Sequence, residues 1–182
     1  KGGVTFVQIR EKEASYDEFK KIALDVKKVT DKYNVPMIIN DNVELAKDID
    51  ADGVHVGGDD MSAANARKIL GDNKIIGATA RTYERAVTAV SQGADYLGIG
   101  AMFDTSTKSG TTHMTKELSN KITSYANIPV VGIGGINSEN IMSLEGYGID
   151  GVAVVSAIFK SEDIEKSAKI MKEKASKIVR ES

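Results

Sequence analysis

The sequence predicts an α/β protein built on a parallel β-sheet. Short continuous runs rich in valine and isoleucine alternate along the chain with longer amphipathic stretches, and the alternation occurs seven times. Within the apolar runs, polar residues do not appear at every second position, which is typical of parallel strands buried on both faces. Neither a linker nor a low-complexity segment interrupts the pattern. We therefore predict one domain, over residues 1–182.

Each unit is a predicted strand followed by a predicted helix. Ser15 and Glu18 form a capping box that starts the first helix, and Ser62 and Gly71 mark the start and end of the third. The predicted strands cover residues 4–9, 36–40, 53–57, 74–79, 96–100, 129–135 and 151–156. The predicted helices cover 15–33, 43–49, 62–70, 82–92, 115–125, 138–147 and 161–180.

Two architectures fit seven such units, an open doubly wound sheet and a (β/α)8 TIM barrel. An open sheet can use seven strands, whereas a barrel needs eight. The chain opens on "KGGVTFVQ", in which two glycines feed directly into a strand without a methionine. Our interpretation is a TIM barrel, N-terminally truncated, with the first βα unit missing from this chain. We expect about 20–35 further residues before Lys1, the usual size of one such unit.

Composition excludes several classes of function. The chain is 41% hydrophobic and 27% charged, with a formal net charge of −2, so it lacks the basic excess that favours nucleic acid or anionic membranes. It contains no cysteine, which excludes disulfides and thiolate metal sites. No apolar run approaches the ~20 residues that span a bilayer. We predict a cytoplasmic protein that is a monomer or a small homo-oligomer.

Parallel α/β proteins bind ligands at the carboxyl ends of their strands. The residues that follow the predicted strands are therefore candidate site residues. Positive charge comes from Arg10, Lys12 and Lys108, and backbone N–H groups come from Gly134, Gly135 and the loop at Ser156. Such groups favour an anion, and barrels commonly hold phosphate at the loops after their last two strands.

Two carboxylates also follow strands, Asp41 after "IIN" and Asp60 after "VHVGGD". Carboxylates repel phosphate, but Mg2+ binds one or two carboxylates together with phosphate oxygens. We therefore interpret Asp41 and Asp60 as a Mg2+ site beside a diphosphate. Each aspartate could instead be a helix cap or a turn residue. His55 lies inside an apolar strand, where a hydrogen-bonded core histidine is a commoner role than catalysis.

Seven motifs occur in an order and spacing that resembles the thiamine-phosphate synthase family, and they span nearly the whole chain. They are "VQIREK", "IIND", "ADGVHVGGDDM", "IIGATA", "YLGIGAMFDTSTK", "IPVVGIGGI" and "GVAVVSAIF". The resemblance implies a (β/α)8 barrel that condenses hydroxymethylpyrimidine diphosphate with thiazole phosphate and releases pyrophosphate. It implies Mg2+ as cofactor and a dissociative mechanism, which needs no protein nucleophile.

The resemblance also implies a role for individual residues. Asp41 and Asp60 would carry Mg2+, while Arg10, Lys12 and Lys108 would stabilise the leaving diphosphate. Gly58 stands where the family usually has glutamine, and Thr79 where it commonly has serine. The substrate-binding set would be Gln8, Ile9, Arg10, Glu11, Lys12, Asn40, Thr79, Thr105, Ser106, Thr107, Lys108, Gly135, Val155 and Ser156.

Three alternative functions remain open at this point. A paralogue that isomerises the thiazole carboxylate phosphate would keep the phosphate loops but would not need "QIREK", Asn40, Asp41 or Asp60. A non-catalytic barrel that binds thiamine phosphates is a second alternative. A sugar-phosphate isomerase is a third, although it would need a carboxylate or histidine base at a strand end, and neither histidine is well placed for that.

Overall fold

The computed structural model of the protein describes residues 1–58, 61–104 and 113–180. Seven strands form one sheet: β1 (Val7–Ile9), β2 (Met37–Asn40), β3 (Gly53–Val56), β4 (Ile75–Thr79), β5 (Tyr96–Ile99), β6 (Val130–Ile133) and β7 (Gly151–Ala153). The α-helices are α1 (Tyr16–Lys32), α2 (Val43–Asp48), α3 (Ala63–Leu70), α4 (Tyr83–Ser91), α5 (Lys116–Tyr125), α6 (Ser156–Phe159) and α7 (Ile164–Ala175). Within these described residues, none of the helices is both long and apolar enough to cross a membrane.

The sheet is entirely parallel, and its spatial order follows the chain order from β1 to β7. Consecutive order is typical of a barrel, whereas a doubly wound sheet reverses direction partway along. The side chains also show that the sheet curls. The rings of Phe6, beside β1, and Tyr96, on β5, meet edge to face with centroids 5.8 Å apart. In a flat sheet, four strand spacings would separate them by about 19 Å. The open doubly wound alternative is therefore wrong, and the fold is TIM-barrel-like.

The helix starts follow local sequence signals. In the capping box of α1, the Ser15 N–H donates to the Glu18 carboxylate over 2.9 Å, and the Ser15 hydroxyl accepts from the Glu18 N–H. Asn42, Ser62, Thr82, Thr115 and Asp163 cap later helices by accepting a backbone N–H. Polar capping residues thus set where these helices begin, and so where the loops that lead into them finish.

Three aspartates join neighbouring strands at the amino-terminal end of the sheet. The Asp52 carboxylate accepts the Met37 N–H, and the Asp52 N–H donates back to the Met37 carbonyl. The same reciprocal pair joins Asp95 to Ile76 and Asp150 to Val130. These residues stand at the matching positions that the sequence shows before strands three, five and seven. We call this arrangement the aspartate clip. It lies at the opposite end of the strands from the predicted site.

The predicted helix over 138–147 is wrong. Only a 3₁₀ turn, Ile141–Leu144, forms there. The Asn137 side chain accepts the N–H groups of Glu139 and Asn140, and the Asn140 amide donates to the Gly135 carbonyl. These local bonds hold the backbone in a turn and compete with helical hydrogen bonding.

Helices pack around the sheet on a core of apolar side chains, among which the following are fully buried: Met37, Ile38, Ile39, Leu45, Ile76, Leu97, Ile99 and Ile122. The segment before β1 packs against α7, since a Cβ built on Gly2 would collide with the Cβ of Ala168. Among the described residues, β1 pairs with β2 alone and β7 with β6 alone. The parallel α/β prediction is confirmed.

Candidate active site

Asn40 and Asp41 lie where β2 ends, at the carboxyl end of the sheet. Asp41 adopts a left-handed backbone with φ of 62° and donates its N–H to the His55 carbonyl on β3 over 2.8 Å. A positive φ is uncommon outside glycine, and such backbones cluster at functional sites. The Asn42 side chain caps α2 instead. Asp41 is therefore not the cap of this helix, and the residue is half-buried at the rim.

Gln8 and Ile9 lie on β1, and Arg10 and Lys12 follow it as exposed cations. Between them, one oxygen of the Glu11 carboxylate accepts the N–H groups of Lys12 and Glu13 over 2.7 and 3.0 Å. The N–H of Glu13, and then that of Lys12, lower the pKa of the Glu11 carboxyl. Glu11 thus has a partner within its own turn, and its carboxylate shapes the loop that presents the two cations.

Gly134 and Gly135 follow β6 with φ of 102° and 66°. They pack directly on the loop after β5: a Cβ on Gly134 would lie 2.8 Å from the Ala101 Cβ, and one on Gly135 would lie 2.8 Å from the Phe103 Cβ. The Phe103 N–H donates to the Gly134 carbonyl over 3.0 Å. Only glycine fits this close approach in this backbone conformation, so the two loops form one surface.

Asp104 and His113 are the described residues on either side of residues 105–112, and their side chains contact each other. The His113 Nε2 lies 2.9 Å from an Asp104 carboxylate oxygen, and the Met114 N–H donates to the Ala101 carbonyl over 2.8 Å. The described residues Asp104 and His113 therefore lie close together, and Asp104 lies beside Gly135. The predicted site residues Asp60, Thr105, Ser106, Thr107 and Lys108 lie outside the described residues.

Val155 and Ser156 lie at the carboxyl end of β7, where α6 begins. Both are exposed, and Val155 shows 61% of its surface. The Val155 carbonyl accepts the N–H groups of Ile158 and Phe159. Because β6 and β7 are neighbours, these residues and Gly135 lie on adjoining loops at the same end of the sheet.

Thr79, the last residue of β4, belongs to a hydrogen-bonded network that the sequence did not reveal. Its hydroxyl oxygen lies 2.9 Å from His55 Nε2, and His55 Nδ1 lies 2.8 Å from the Tyr96 hydroxyl. The side chain of Gln8, on β1, lies near the Tyr96 hydroxyl. Burial raises the pKa of Tyr96 well above its ordinary value. The interpretation of His55 as a hydrogen-bonded histidine agrees with this geometry, but its partner is a predicted site residue.

Two glycines make room for the network. His55, Gly77 and Tyr96 share one register level across β3, β4 and β5, and a Cβ on Gly77 would collide with the Tyr96 ring. A Cβ on Gly98 would lie 3.1 Å from His55 Cε1. Side chains alternate between the two faces of each strand, so the sequence shows which residues share a face within one strand. It predicts which of them meet across strands only once the register is known.

Gly58 explains one departure from the family pattern. A Cβ at this position would collide with the guanidinium of Arg85, which reaches over from α4. Arg85 thus occupies the space that a longer side chain at position 58 would need. This guanidinium brings a cation to the loop after β3.

The fold and the rim define the class of protein: a TIM-barrel-like α/β protein whose candidate small-molecule site is formed by the loops at the carboxyl ends of its strands. Within the described residues there is no group of three or more histidine, aspartate or glutamate side chains that could hold a metal. A site that combines Asp41 with a second carboxylate and substrate oxygens would not form such a group.

Comparisons with known proteins identify the family. Residues 1–158 match the family model of thiamine monophosphate synthase. The chain is 53% identical over 167 residues to a thiamine-phosphate synthase of Ruminiclostridium cellulolyticum, covering 92% of this chain and 80% of that one. It is 49% identical over 177 residues to the thiamine-phosphate synthase of Clostridium botulinum, covering 97% of this chain and 83% of that one. The chain belongs to the thiamine monophosphate synthase family.

Solved structures agree. A thiamine phosphate pyrophosphorylase from Pyrococcus furiosus superimposes with a TM-score of 0.88 at 36% identity, covering 98% of this chain and 86% of that one. A 3-hexulose-6-phosphate synthase, at 18% identity and a TM-score of 0.70, shares the fold. The predicted family is confirmed, and with it the prediction of an enzyme, a transferase of thiamine biosynthesis.

Proposed function

We propose that the chain catalyses the Mg2+-dependent condensation of hydroxymethylpyrimidine diphosphate with thiazole phosphate, giving thiamine phosphate and pyrophosphate. Family membership supports the pair of substrates. The observation that carries the proposal is that Arg10, Lys12, Asp41, the hydroxyl of Thr79 and the Gly134–Gly135 loop all lie at the carboxyl ends of strands of one parallel sheet. A diphosphate and a second phosphate need these groups close together.

The pyrimidine diphosphate would be held by the β1 end, from Gln8 to Lys12, together with Asn40 and Thr79. The thiazole phosphate would be held by Thr105, Ser106 and Thr107 with Gly135, Val155 and Ser156. Lys108 would reach the leaving pyrophosphate. The contact of Asp104 with Gly135 supports the second assignment, because Thr105 directly follows Asp104 in the chain.

The residues fit a Mg2+ ion held by Asp41 and Asp60. Asp41 lies half-buried at the rim, and its N–H donates to the carbonyl of His55 on β3. β3 is the strand that leads to residue 60. Its carboxylate is the hard oxygen donor that Mg2+ prefers, and two such ligands leave room for phosphate oxygens and waters. The bound ion would supply charge stabilisation to the departing pyrophosphate.

In the reaction, the bond between the methylene carbon and the diphosphate oxygen breaks first, and its electron pair leaves with pyrophosphate. The amino group of the pyrimidine ring stabilises the resulting cation, and the lone pair of the thiazole nitrogen then forms the new C–N bond. The chain's own part is to hold the two substrates in line and to place Arg10, Lys12 and Lys108 where negative charge develops. No protein nucleophile or general base is required.

One assay tests the proposal against its alternatives. Both precursors are incubated with the protein, with and without Mg2+, and pyrophosphate and thiamine phosphate are followed. Product that requires both substrates and the metal supports the synthase. Conversion of the thiazole carboxylate phosphate alone would show the tautomerase instead. Tight binding of thiamine phosphate without turnover would show a non-catalytic binding barrel.

We also propose that the complete barrel has an eighth βα unit between β7 and β1. Support comes from the two outer strands, each of which pairs on one side alone within the described residues, since an exposed parallel strand edge is unusual. Residues 1–182 fused behind the first unit of the Ruminiclostridium cellulolyticum relative should unfold at a temperature at least about 5 °C higher than residues 1–182 alone. An unchanged unfolding temperature would refute the eighth unit.

A further inference from the structure

The loop after β3 begins with two glycines, Gly57 and Gly58, and Asp60 follows two residues after the second of them. Glycine gives the backbone more conformational freedom than any other residue. A metal ligand contributes affinity only where its oxygens are held close to the geometry that the ion requires. Another part of the chain must therefore restrict this loop if Asp60 is to bind Mg2+.

The side chain that packs on this loop is that of Arg85. The three described atoms nearest to a Cβ built on Gly58 all belong to Arg85: Nη1, with which the Cβ would collide, Cζ at 2.8 Å and Nε at 3.6 Å. Gly58 has no positive φ, so its backbone conformation would accept a side chain. The residue at position 58 is therefore restricted by the space that the guanidinium occupies.

The place of Arg85 in its own helix does not explain an arginine there. Arg85 lies in the first turn of α4, and its backbone N–H donates over 3.3 Å to the Thr82 hydroxyl, which caps the helix. The helix macrodipole is positive at this end, which favours acidic side chains rather than cations. The position does begin a long side chain at the carboxyl end of the strands, from which the guanidinium reaches the loop of the preceding βα unit.

We propose that Arg85 is a positioning residue for the metal site, which packs on Gly58, fixes the loop after β3 and thereby sets the place of the Asp60 carboxylate. This inference rests on the proposed function, which makes Asp60 a ligand of Mg2+. The Asp41 N–H donates to the His55 carbonyl, so the end of β2 is already joined to β3. Arg85 restricts the next part of the chain after β3 from the other side, through α4.

The first test follows the loop itself and needs no metal. In ¹⁵N relaxation measurements on the protein, the order parameters of Gly57 and Gly58 should be near those of rigid backbone, about 0.85. In Arg85→Ala they should fall toward about 0.6, the range of flexible backbone. Lys68→Ala removes an equal charge from an exposed position in the last turn of α3 and should leave both values unchanged. Unchanged order parameters in Arg85→Ala would overturn the proposal.

Metal affinity tests the consequence for Asp60. Mn2+ is the probe, because it prefers the same oxygen ligands as Mg2+, and its free concentration is measured by EPR during a titration. Arg85→Ala should weaken Mn2+ binding about tenfold, a typical loss when a residue that supports a metal ligand is removed, whereas Lys68→Ala should not change it. Asp41→Asn identifies the site, because it removes a proposed ligand. Equal Mn2+ affinity in Arg85→Ala and the unsubstituted protein, or Mn2+ binding that Asp41→Asn leaves unchanged, would overturn the proposal.

Gly58→Ala tests whether Arg85 acts through this glycine. The new methyl group should push the guanidinium off the loop, so Gly58→Ala should lose about as much Mn2+ affinity as Arg85→Ala. The double variant should lose less than about twofold more than either single variant, because both changes break the same contact. Losses that multiply in the double variant would contradict the proposal.

Kinetics separate positioning from a direct role in the reaction. Arg85→Ala should raise the Mg2+ concentration that gives half-maximal rate about tenfold and leave kcat at saturating Mg2+ within about twofold. A lower kcat at saturating Mg2+, with that concentration unchanged, would overturn the proposal. Circular dichroism of each variant checks that the fold is intact. If the unsubstituted protein forms no thiamine phosphate, the proposed function fails, while the order parameters and the Mn2+ affinities still decide the role of Arg85.

Discussion

The Tyr96 ring can reach His55 because position 77 carries no side chain. Gly77 has no positive φ, so conformational freedom does not explain it. Its role is to leave space for the phenol ring, because a Cβ at this position would collide with that ring. A glycine in a strand interior is otherwise unfavourable, and it often marks a close approach of another group.

Gly77→Ala should displace Tyr96 and lower the rate of thiamine phosphate formation at least tenfold, because the ring is too rigid to move aside without breaking its bond to His55. The matched control is Gly151→Ala, where a Cβ would lie 3.9 Å from its nearest neighbour, Val131. That variant should keep the activity of the unsubstituted protein. Full activity in Gly77→Ala would show that the position of the Tyr96 ring does not matter.

At the residue scale, the sequence predicted the positions of single residues better than it predicted which residues they contact. Asp41 and Thr79 could be placed at strand ends because the end of an apolar run is visible in the sequence. The hydrogen bonds that link Thr79 to His55 and Tyr96 could not be predicted, since they depend on the relative register of three strands. The roles of individual site residues stay predictions.

At the scale of elements, the aspartate clip fixes how strand pairs begin. Asp95 accepts both the Ile76 N–H, over 2.7 Å, and the Arg67 guanidinium, over 2.6 Å. The Asp150 carboxylate likewise accepts the Val130 N–H and the Arg180 guanidinium. The carboxylates thus join strands β4 to β5 and β6 to β7, and each also holds an arginine that approaches from a helical region. This device stabilises the end of the barrel remote from the site.

Asp95→Ala should therefore lower the free energy of unfolding by about 1–3 kcal/mol, because the Ile76 N–H loses its side-chain acceptor. Urea unfolding measures the loss, and kcat/KM below the unfolding transition should stay within about twofold. Asp72→Ala, at an exposed turn residue, is the control and should change neither quantity. A fall in kcat/KM of tenfold or more in folded Asp95→Ala would contradict the separation of stability from catalysis.

Local signals predicted most elements because they act through neighbours in the chain. Ser15 with Glu18 and Ser62 with Gly71 mark helix ends in the structure, as the sequence indicated. The exception is the stretch over 138–147, which was predicted as a helix because it follows the sixth strand in the alternating pattern. There the asparagine side chains at 137 and 140 bond the backbone, and glycines at 146 and 148 take positive φ. The spacing of apolar residues does not reveal such hydrogen bonds, because polar side chains make them with the backbone.

At the scale of the molecule, the curl of the sheet gathers distant segments. Residues on β1, β2 and β4, with the loops after β5, β6 and β7, meet at one rim only because the sheet curls back toward itself. The alternation of strands and helices predicted a parallel sheet, but seven strands alone could not separate an open sheet from a barrel. The contact between Phe6 and Tyr96 separates them, and the family comparison agrees.

The most direct test of the central claim, that the rim binds Mg2+ and a diphosphate together, is the Mg2+ dependence of thiamine phosphate formation in Asp41→Asn. The account predicts that the Mg2+ concentration giving half-maximal rate rises at least about tenfold, because an amide is a weaker ligand than a carboxylate. Asp72→Asn should leave that concentration unchanged. An identical Mg2+ dependence in Asp41→Asn and the unsubstituted protein would contradict the account.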